Sequence, residues 1–236
     1  MIDKIVLSVD GNKDYRDMIP YAIAGWKRFF PEVKVVIVDI TIDSCAIPGV
    51  PSCNLAKVAR FYAATKFENE VCMIHDMDSI CLQREYYENK LKDRKPGELL
   101  AIGGDFYKGT IDSGKFPIGY MTAEGYVFKE IFNPKDLSWE RWIDYLKSIK
   151  GIKENICSPF KIFSDESLIK YLLRGWNGTV KNLPMGYVLR RDCVCRWAPL
   201  NIKRMNTGGY IEALHLLPIG NYQNIMQEIK KYIGME

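Results

Sequence analysis

The sequence predicts an α/β domain with a mostly parallel sheet flanked by helices. Three observations predict it. Short apolar runs alternate with segments of helical period, which is the pattern of strands joined by crossover helices. The chain opens strand-helix-strand, and strands joined that way run parallel. The composition, 47% hydrophobic and 26% charged over 236 residues, suits a globular chain long enough to bury a sizeable core. With 18 Gly and 11 Pro, the chain is neither disordered nor collagen-like. One domain over 1–236 is expected, with about 1–105 forming a nucleotide-binding part and 106–236 an acceptor-binding, closing part.

Ile5-Val6-Leu7-Ser8-Val9 reads as a first strand, ended by the turn residues Asp10-Gly11-Asn12. Ile19, Ile23, Trp26 and Phe30 follow at helical spacing, with Pro20 in the first turn and Pro31 as the stop. Val33 to Val38 is the second strand. A helix capped by Asn54 carries Leu55, Val58 and Tyr62 on one face and leads to a third strand, Val71-Cys72-Met73-Ile74. Leu99 to Ile102 reads as a strand running into Gly103-Gly104-Asp105. Phe116 to Thr122 reads as a strand-like run in which Gly119 marks a tight bend or a ligand-facing strand. Trp139, Trp142 and Tyr145 have the spacing of packing residues on a helix. Ser164 caps a helix bearing Leu168, Ile169 and Leu172, with Asp165 and Glu166 in its first turn, where acids suit the helix dipole. Cys193-Val194-Cys195 alternates as a strand does, His215 falls in the strand-like run 211–217, and Ile225, Met226, Ile229 and Ile233 mark a terminal helix.

Several function classes are excluded at this level. Lys and Arg total 33 against 29 Asp and Glu, a formal charge of +4, and the basic residues are dispersed, so nucleic-acid binding is not the main activity. The seven cysteines form no C-x-x-C pair and read as reduced, mostly buried thiols of a cytoplasmic protein. No stretch approaches the apolar length of a membrane span, and no secretion signal is visible. With two histidines, His75 and His215, a multi-histidine metal cage is ruled out.

The most informative stretch is V-C-M-I-H-D-M-D-S-I-C-L, residues 71–82. It places Asp76 and Asp78 just past the carboxyl end of an apolar strand, the edge where open α/β sheets bind ligands. Two carboxylates at i and i+2 converge on one cation if the chain bends between them, and oxygen ligands suit Mg²⁺ or Mn²⁺. The competing reading is a capped turn facing solvent. His215 offers the third ligand such a pair needs, since neutral imidazole is acceptable to Mn²⁺; the alternative is a packed histidine in an apolar run.

Taken in order, these segments resemble the nucleotide-sugar-dependent glycosyltransferases of the GT-A fold, most closely the glycogenin and lipopolysaccharide galactosyltransferase type of family 8. The resemblance covers most of the chain. It implies a hexosyl transfer from a nucleoside-diphosphate sugar, a UDP-sugar first among them, to a carbohydrate or glycoconjugate hydroxyl, with Mn²⁺ or Mg²⁺ and with retention of configuration. Residues 4–15, K-I-V-L-S-V-D-G-N-K-D-Y, are similar to the family's first strand and nucleotide loop, which implies that Asp10 and Tyr15 lie near the base or ribose. Lys57 and Arg60 stand where the family places a basic donor contact. Asp76 and Asp78 match its D-x-D, implying metal and diphosphate binding. Asp105 in A-I-G-G-D resembles the acid that touches the donor sugar. Asp165 and Glu166 in S-D-E-S-L resemble its D-Q-D-x-L near the reacting centre. His215 looks like its late metal-ligand histidine, although the family's H-x-x-G-x-x-K-P-W is here H-L-L-P-I-G-N-Y-Q, without the lysine.

Two enzyme rivals and one non-enzyme share parts of this pattern. A haloacid-dehalogenase-like phosphatase also carries D-x-D after a strand, but there the strand comes first and a late aspartate pair follows. A sugar-nucleotide pyrophosphorylase would need a Gly-rich, Arg-containing loop after the first strand, and the sequence has none. A catalytically silent nucleotide-sugar-binding module would keep the binding residues without turnover.

Overall fold

The computed structural model describes residues 1–42, 45–103, 118–149, 165–186, 192–195 and 200–235. Strand β1 (Lys4–Val9) and β2 (Lys34–Asp39) are joined by helix α1 (Lys13–Phe29), and α2 (Ser52–Ala64) crosses back to β3 (Val71–Ile74). Short β4 (Ser79–Cys81) and α3 (Arg84–Leu91) lead to β5 (Glu98–Ile102). Beyond a 3₁₀ turn at Ile118–Tyr120 come β6 (Met121–Glu124), α4 (Gly125–Phe132), α5 (Trp139–Ser148), α6 (Asp165–Leu173) and β7 (Thr179–Leu183). The remaining elements are β8 (Cys193–Cys195), α7 (Ile202–Asn206), β9 (Glu212–Leu214) and α8 (Gln223–Ile233).

Six strands form one sheet in the order β2-β1-β3-β6-β5-β7, and β4-β9-β8 form a second, smaller one. In the large sheet only β6 runs against the rest, antiparallel to both β3 and β5, so the expected mostly parallel sheet is what the chain builds. Five strands therefore deliver their carboxyl ends to one edge. The 3₁₀ turn before β6 arrives at that same edge from the opposite direction.

Strand alternation assigns the two faces. Ile5, Leu7 and Val9 pack with Met18, Trp26, Ile229 and Ile233 of α1 and α8. Val6 and Ile74 pack with Leu55, Val58 and Phe61 of α2, and beyond them with Phe128, Phe132 and Trp142 of α4 and α5. Burying such side chains contributes roughly 1.5–3 kcal/mol each, and the two layers hold the sheet rigid under its loops. Trp139 and Trp142 are buried, as packing residues should be.

Three expected boundaries are corrected. Helix α1 starts at Lys13, not Ile19, because the Asn12 side chain accepts from the Asp14 N–H and caps it; Pro20 therefore lies inside the helix and deprives the Arg16 carbonyl of its intrahelical donor. Helix α2 starts at Ser52 after Pro51, so Asn54 is not its cap and is instead buried in its first turn. The run around Gly119 is a 3₁₀ turn up to Tyr120, and the strand starts only at Met121. The Ser164 cap lies outside the described residues.

An ion pair ties the first loop to the second strand. Arg16 donates to Asp39 Oδ2 at 2.7 Å and reaches the Asp10 carbonyl at 3.4 Å. The Thr41 N–H and hydroxyl also donate to Asp39, at 3.0 and 2.6 Å. Burial pushes the Asp39 carboxyl up, but the hydrogen bonds from Thr41 and Arg16 outweigh it and hold the group below the usual carboxylate range. Such a carboxylate stabilises the fold fully above its unfolded value, near 3.9, and ceases to do so as pH falls through the lower folded value. Asp39→Asn should cost about 2 kcal/mol at pH 7. Urea midpoints measured across pH should show the gap from wild type closing below about pH 4.

Candidate functional site

The carboxyl edge of the sheet carries a cavity of about 300 Å³. Its wall is built from four stretches of chain: Ser8 to Asp10 with Tyr15, one face of α2, residues 76–78, and His215. The first stretch follows from the end of β1. The Asn12 N–H donates to Asp10 Oδ1 at 2.9 Å, an Asx turn that holds this carboxylate at the rim, and the next turn of chain places Tyr15 beside it. Burial pushes the Tyr15 phenol up to about 12, helped by the negative charges of Asp78, Asp76, Asp10 and Asp14. Tyr15 is thus a neutral hydrogen-bonding group at any physiological pH.

Helix α2 presents Cys53, Ala56, Lys57 and Arg60 to the cavity, the i, i+3, i+4, i+7 spacing of one helical face. Ser8 Oγ donates to the Ala56 carbonyl at 2.5 Å, fastening that face to β1. Arg60 is 6% exposed, and its guanidinium donates to the His75 carbonyl at 2.8 Å and to Asp76 Oδ1 at 2.5 Å. Burial pushes the Asp76 carboxyl up, and the Arg60 charge and hydrogen bond more than reverse this, leaving it below the usual range. Its side chain retains 45% exposure, so it is ionised and faces the cavity while one oxygen is held by the arginine.

The two aspartates do bend together. The Ser79 N–H donates to the Asp76 carbonyl at 3.3 Å, turning the chain through 76–79 into β4. That strand pairs with β9, Ser79 opposite Leu214, which brings His215 against Asp78 from 137 residues away. The His215 N–H donates to the Asp78 carbonyl at 3.1 Å, and His215 Nδ1 lies 2.8 Å from Asp78 Oδ2. His215 is not within the strand as expected. It sits one residue past it, in the left-handed region at φ 55°, a conformation costly for a residue with a Cβ and concentrated at functional sites.

An ionised carboxylate only accepts, so the contact places the His215 proton on Nδ1 and the lone pair on Nε2. A histidine whose one nitrogen is fixed by a carboxylate is the usual form of a metal ligand. The donor set of Asp76, Asp78 and His215, two carboxylates and one imidazole around one cavity, suits Mn²⁺ or Mg²⁺ in chemistry. Among the described residues, however, no three His, Cys, Asp or Glu side chains stand close enough to form a ready-made cage. Asp78 and His215 are in contact, and Asp76 is turned to Arg60.

His75, which precedes the aspartate pair in sequence, is not part of the cavity wall. It is wholly buried, with its ring 5.0 Å from Trp26 and 5.2 Å from Tyr120, and burial lowers its basicity so that it is neutral. Of the other expected residues, Asp10, Tyr15, Lys57, Arg60, Asp76, Asp78 and His215 all line the one cavity. Asp105 and the side chains of Asp165 and Glu166 lie outside the described residues. At Gly119, which the sequence marks as a tight bend or a ligand-facing position, a Cβ would stand 2.5 Å from Asp76 Oδ2. The absent side chain is what leaves room for the carboxylate.

No protein-family model matches the chain, and no curated protein matches it in sequence. Among solved structures, a glycosyltransferase involved in the glycosylation of the major capsid of PBCV-1 superposes with a TM-score of 0.51 at 10% identity, covering 91% of this chain and 93% of that one. The fold is the GT-A glycosyltransferase fold. An active-site mutant of LgtC (TM-score 0.45, 13% identity, 90% and 86% covered) and the inositol-1-phosphate CTP transferase of T. maritima (0.39, 11%, 89% and 77%) are similar more loosely.

In this GT-A chain the cavity lies where the parallel strands end and where the reversed strand β6 begins. Gly119→Ala should turn the Asp76 carboxylate away from Arg60 while leaving the sheet intact. The expected result is a melting midpoint within a few degrees of wild type, a shift of about 1 kcal/mol or less, together with loss of the Asp76–Arg60 contact in a crystal structure of the variant.

Proposed function

We propose that this chain is a glycosyltransferase that moves a hexose from a nucleoside-diphosphate sugar, a UDP-sugar foremost, to a hydroxyl of a carbohydrate or glycoconjugate acceptor, with Mn²⁺ or Mg²⁺ and with retention. One observation carries the reading: groups suited to a base or ribose (Asp10, Tyr15), to a diphosphate (Lys57, Arg60) and to a divalent cation (Asp76, Asp78, His215) all line a single cavity at the carboxyl edge of a GT-A sheet. The proposed division of labour follows. Residues 1–105 hold the nucleotide, and 106–236 supply His215 and the acceptor side.

Breaking the bond between sugar and diphosphate develops negative charge on the departing phosphate and positive charge on the sugar ring. A divalent ion held by Asp76, Asp78 and His215 would supply Lewis-acid stabilisation of that phosphate. Lys57, on the cavity-facing turn of α2, is placed to add a second positive charge. Arg60 orients Asp76, since its guanidinium is engaged by that carboxylate and by the His75 carbonyl. Tyr15, a neutral phenol, is a hydrogen-bond donor for ribose or phosphate oxygen. On resemblance, Asp105 contacts the donor sugar, and Asp165 or Glu166 at the start of α6 positions the acceptor or stabilises the sugar cation. Were the outcome inversion, one of those two carboxylates would take the acceptor proton.

The phosphatase reading fits less well. Its nucleophile strand would be the first in the chain, whereas Asp76 follows β3 and is paired with Arg60 rather than poised to attack. A thermal-shift panel of nucleoside diphosphates with and without Mn²⁺ tests the donor class directly, the expected result being metal-dependent stabilisation by UDP of about 2–4 kcal/mol at saturation. Asp76→Asn and Asp78→Asn should each lower nucleotide-sugar turnover by at least about 100-fold. Undiminished turnover in chelator and in both variants would sink the reading, and tight binding with no turnover across broad acceptors would favour the silent module.

A further inference from the structure

A carboxylate that takes no part in the cavity wall lies directly behind it. Glu212 opens β9 and is 0% exposed, in register with Cys81 of β4 on one side and Cys193 of β8 on the other. Its side chain reaches Ser79 of β4 and Tyr120 of the 3₁₀ turn before β6. Oε1 accepts from the Tyr120 hydroxyl at 2.7 Å, and Oε2 accepts from the Ser79 hydroxyl. His75 Nε2 stands 3.7 Å from Oε2, beyond hydrogen-bond range. Its Nδ1 faces the Asp76 carbonyl at 3.2 Å and its Nε2 faces the Tyr87 hydroxyl at 3.3 Å. A carbonyl only accepts, so Nδ1 carries the proton and the imidazole braces the backbone of Asp76.

A carboxylate out of water costs several kcal/mol unless donors surround it. Those donors are drawn from the segments that hold the cavity groups. Ser79 closes the 76–79 turn that carries Asp76 and Asp78. Tyr120 follows Gly119, whose missing side chain seats the Asp76 carboxylate. Glu212 itself stands three residues before His215 in sequence. The groups proposed to bind the cation thus come from chain segments joined behind the cavity at one buried acid.

We propose that Glu212 is a positioning residue that sets the spacing of Asp76, Asp78 and His215 by holding the 76–79 turn, the 118–120 turn and β9 in one register; the consequence for catalysis rests on the reading of the cavity as a donor site. It touches neither substrate nor cation. It acts through Ser79 and Tyr120, and its loss loosens three segments together.

Two measurements on Glu212→Gln and on Tyr120→Phe test this. In the ligand-free protein, hydrogen exchange of the amides of 76–79, 118–120 and 212–215 should rise together by about tenfold, with β1 and β2 unchanged. In nucleotide binding with Mn²⁺, each variant should lose about tenfold or more in affinity, and the double variant should be no worse than Glu212→Gln alone, since both changes break one network. A purely structural role predicts instead a lower melting point with uniform exchange, unchanged affinity of the folded protein and additive effects, and that pattern overturns the proposal. Should wild type bind no nucleotide, the donor reading falls, while the exchange data on the free protein still decide whether Glu212 couples the three segments. Tyr120→Phe removes one hydroxyl only and keeps the test open if Glu212→Gln does not fold.

Discussion

The antiparallel ladder between β4 and β9 determines where a cavity can close in this chain. It is three residues long, yet it is the contact that brings His215 to Asp78. The other groups that line the cavity belong to the first part of the sheet: Asp10 and Tyr15 follow β1, Lys57 and Arg60 lie on α2, and the aspartates follow β3. Without the ladder these groups would form an open shelf. With it, a wall rises on the far side, and the shelf becomes a cavity.

Charge within that cavity is arranged by partnership rather than by net balance. Arg60 is buried and spends its guanidinium on Asp76 and on the carbonyl just before it, so it compensates a carboxylate that would otherwise be held beside Asp78 and Asp10. The pair is therefore more than a salt bridge counted for stability. It fixes which oxygen of Asp76 faces inward, and it leaves Lys57 as the more exposed of the two cations on α2. The lining carries Asp10, Asp76 and Asp78 against Lys57 and Arg60, so the chain's modest excess of positive charge lies elsewhere on the molecule.

Much of this was legible in the sequence because it is encoded locally. Apolar runs gave β1, β3 and β5, and D-x-D after β3 gave the aspartates, since a strand's carboxyl end is a ligand edge whatever the family. What escaped depended on partners far away in sequence. β4 is too short to show a period, and its register with the strand that the run around His215 does announce exists only as a pairing. Gly119 reads as a tight bend or a ligand-facing position until the Asp76 carboxylate is seen where its side chain would be. His75 did carry a signal: it shares strand parity with Met73, which packs toward α1, so alternation already turned it away from the cavity. Helix α1 was begun late because Asn12, read only as a turn residue, is also a cap.

The small sheet has a further consequence, in the time order of folding. The first three strands and their two crossover helices pair across shorter stretches of chain than β4 and β9 do, and so close at a lower loop-closure cost. The β4–β9 pairing closes a loop more than a hundred residues long and must come after that framework. On a ribosome, which releases the chain from its N-terminus, the carboxyl edge of the first three strands can be shaped while the wall that completes the cavity has not yet been synthesised. The protein therefore emerges without a finished cavity, and gains one only when the segment through His215 docks.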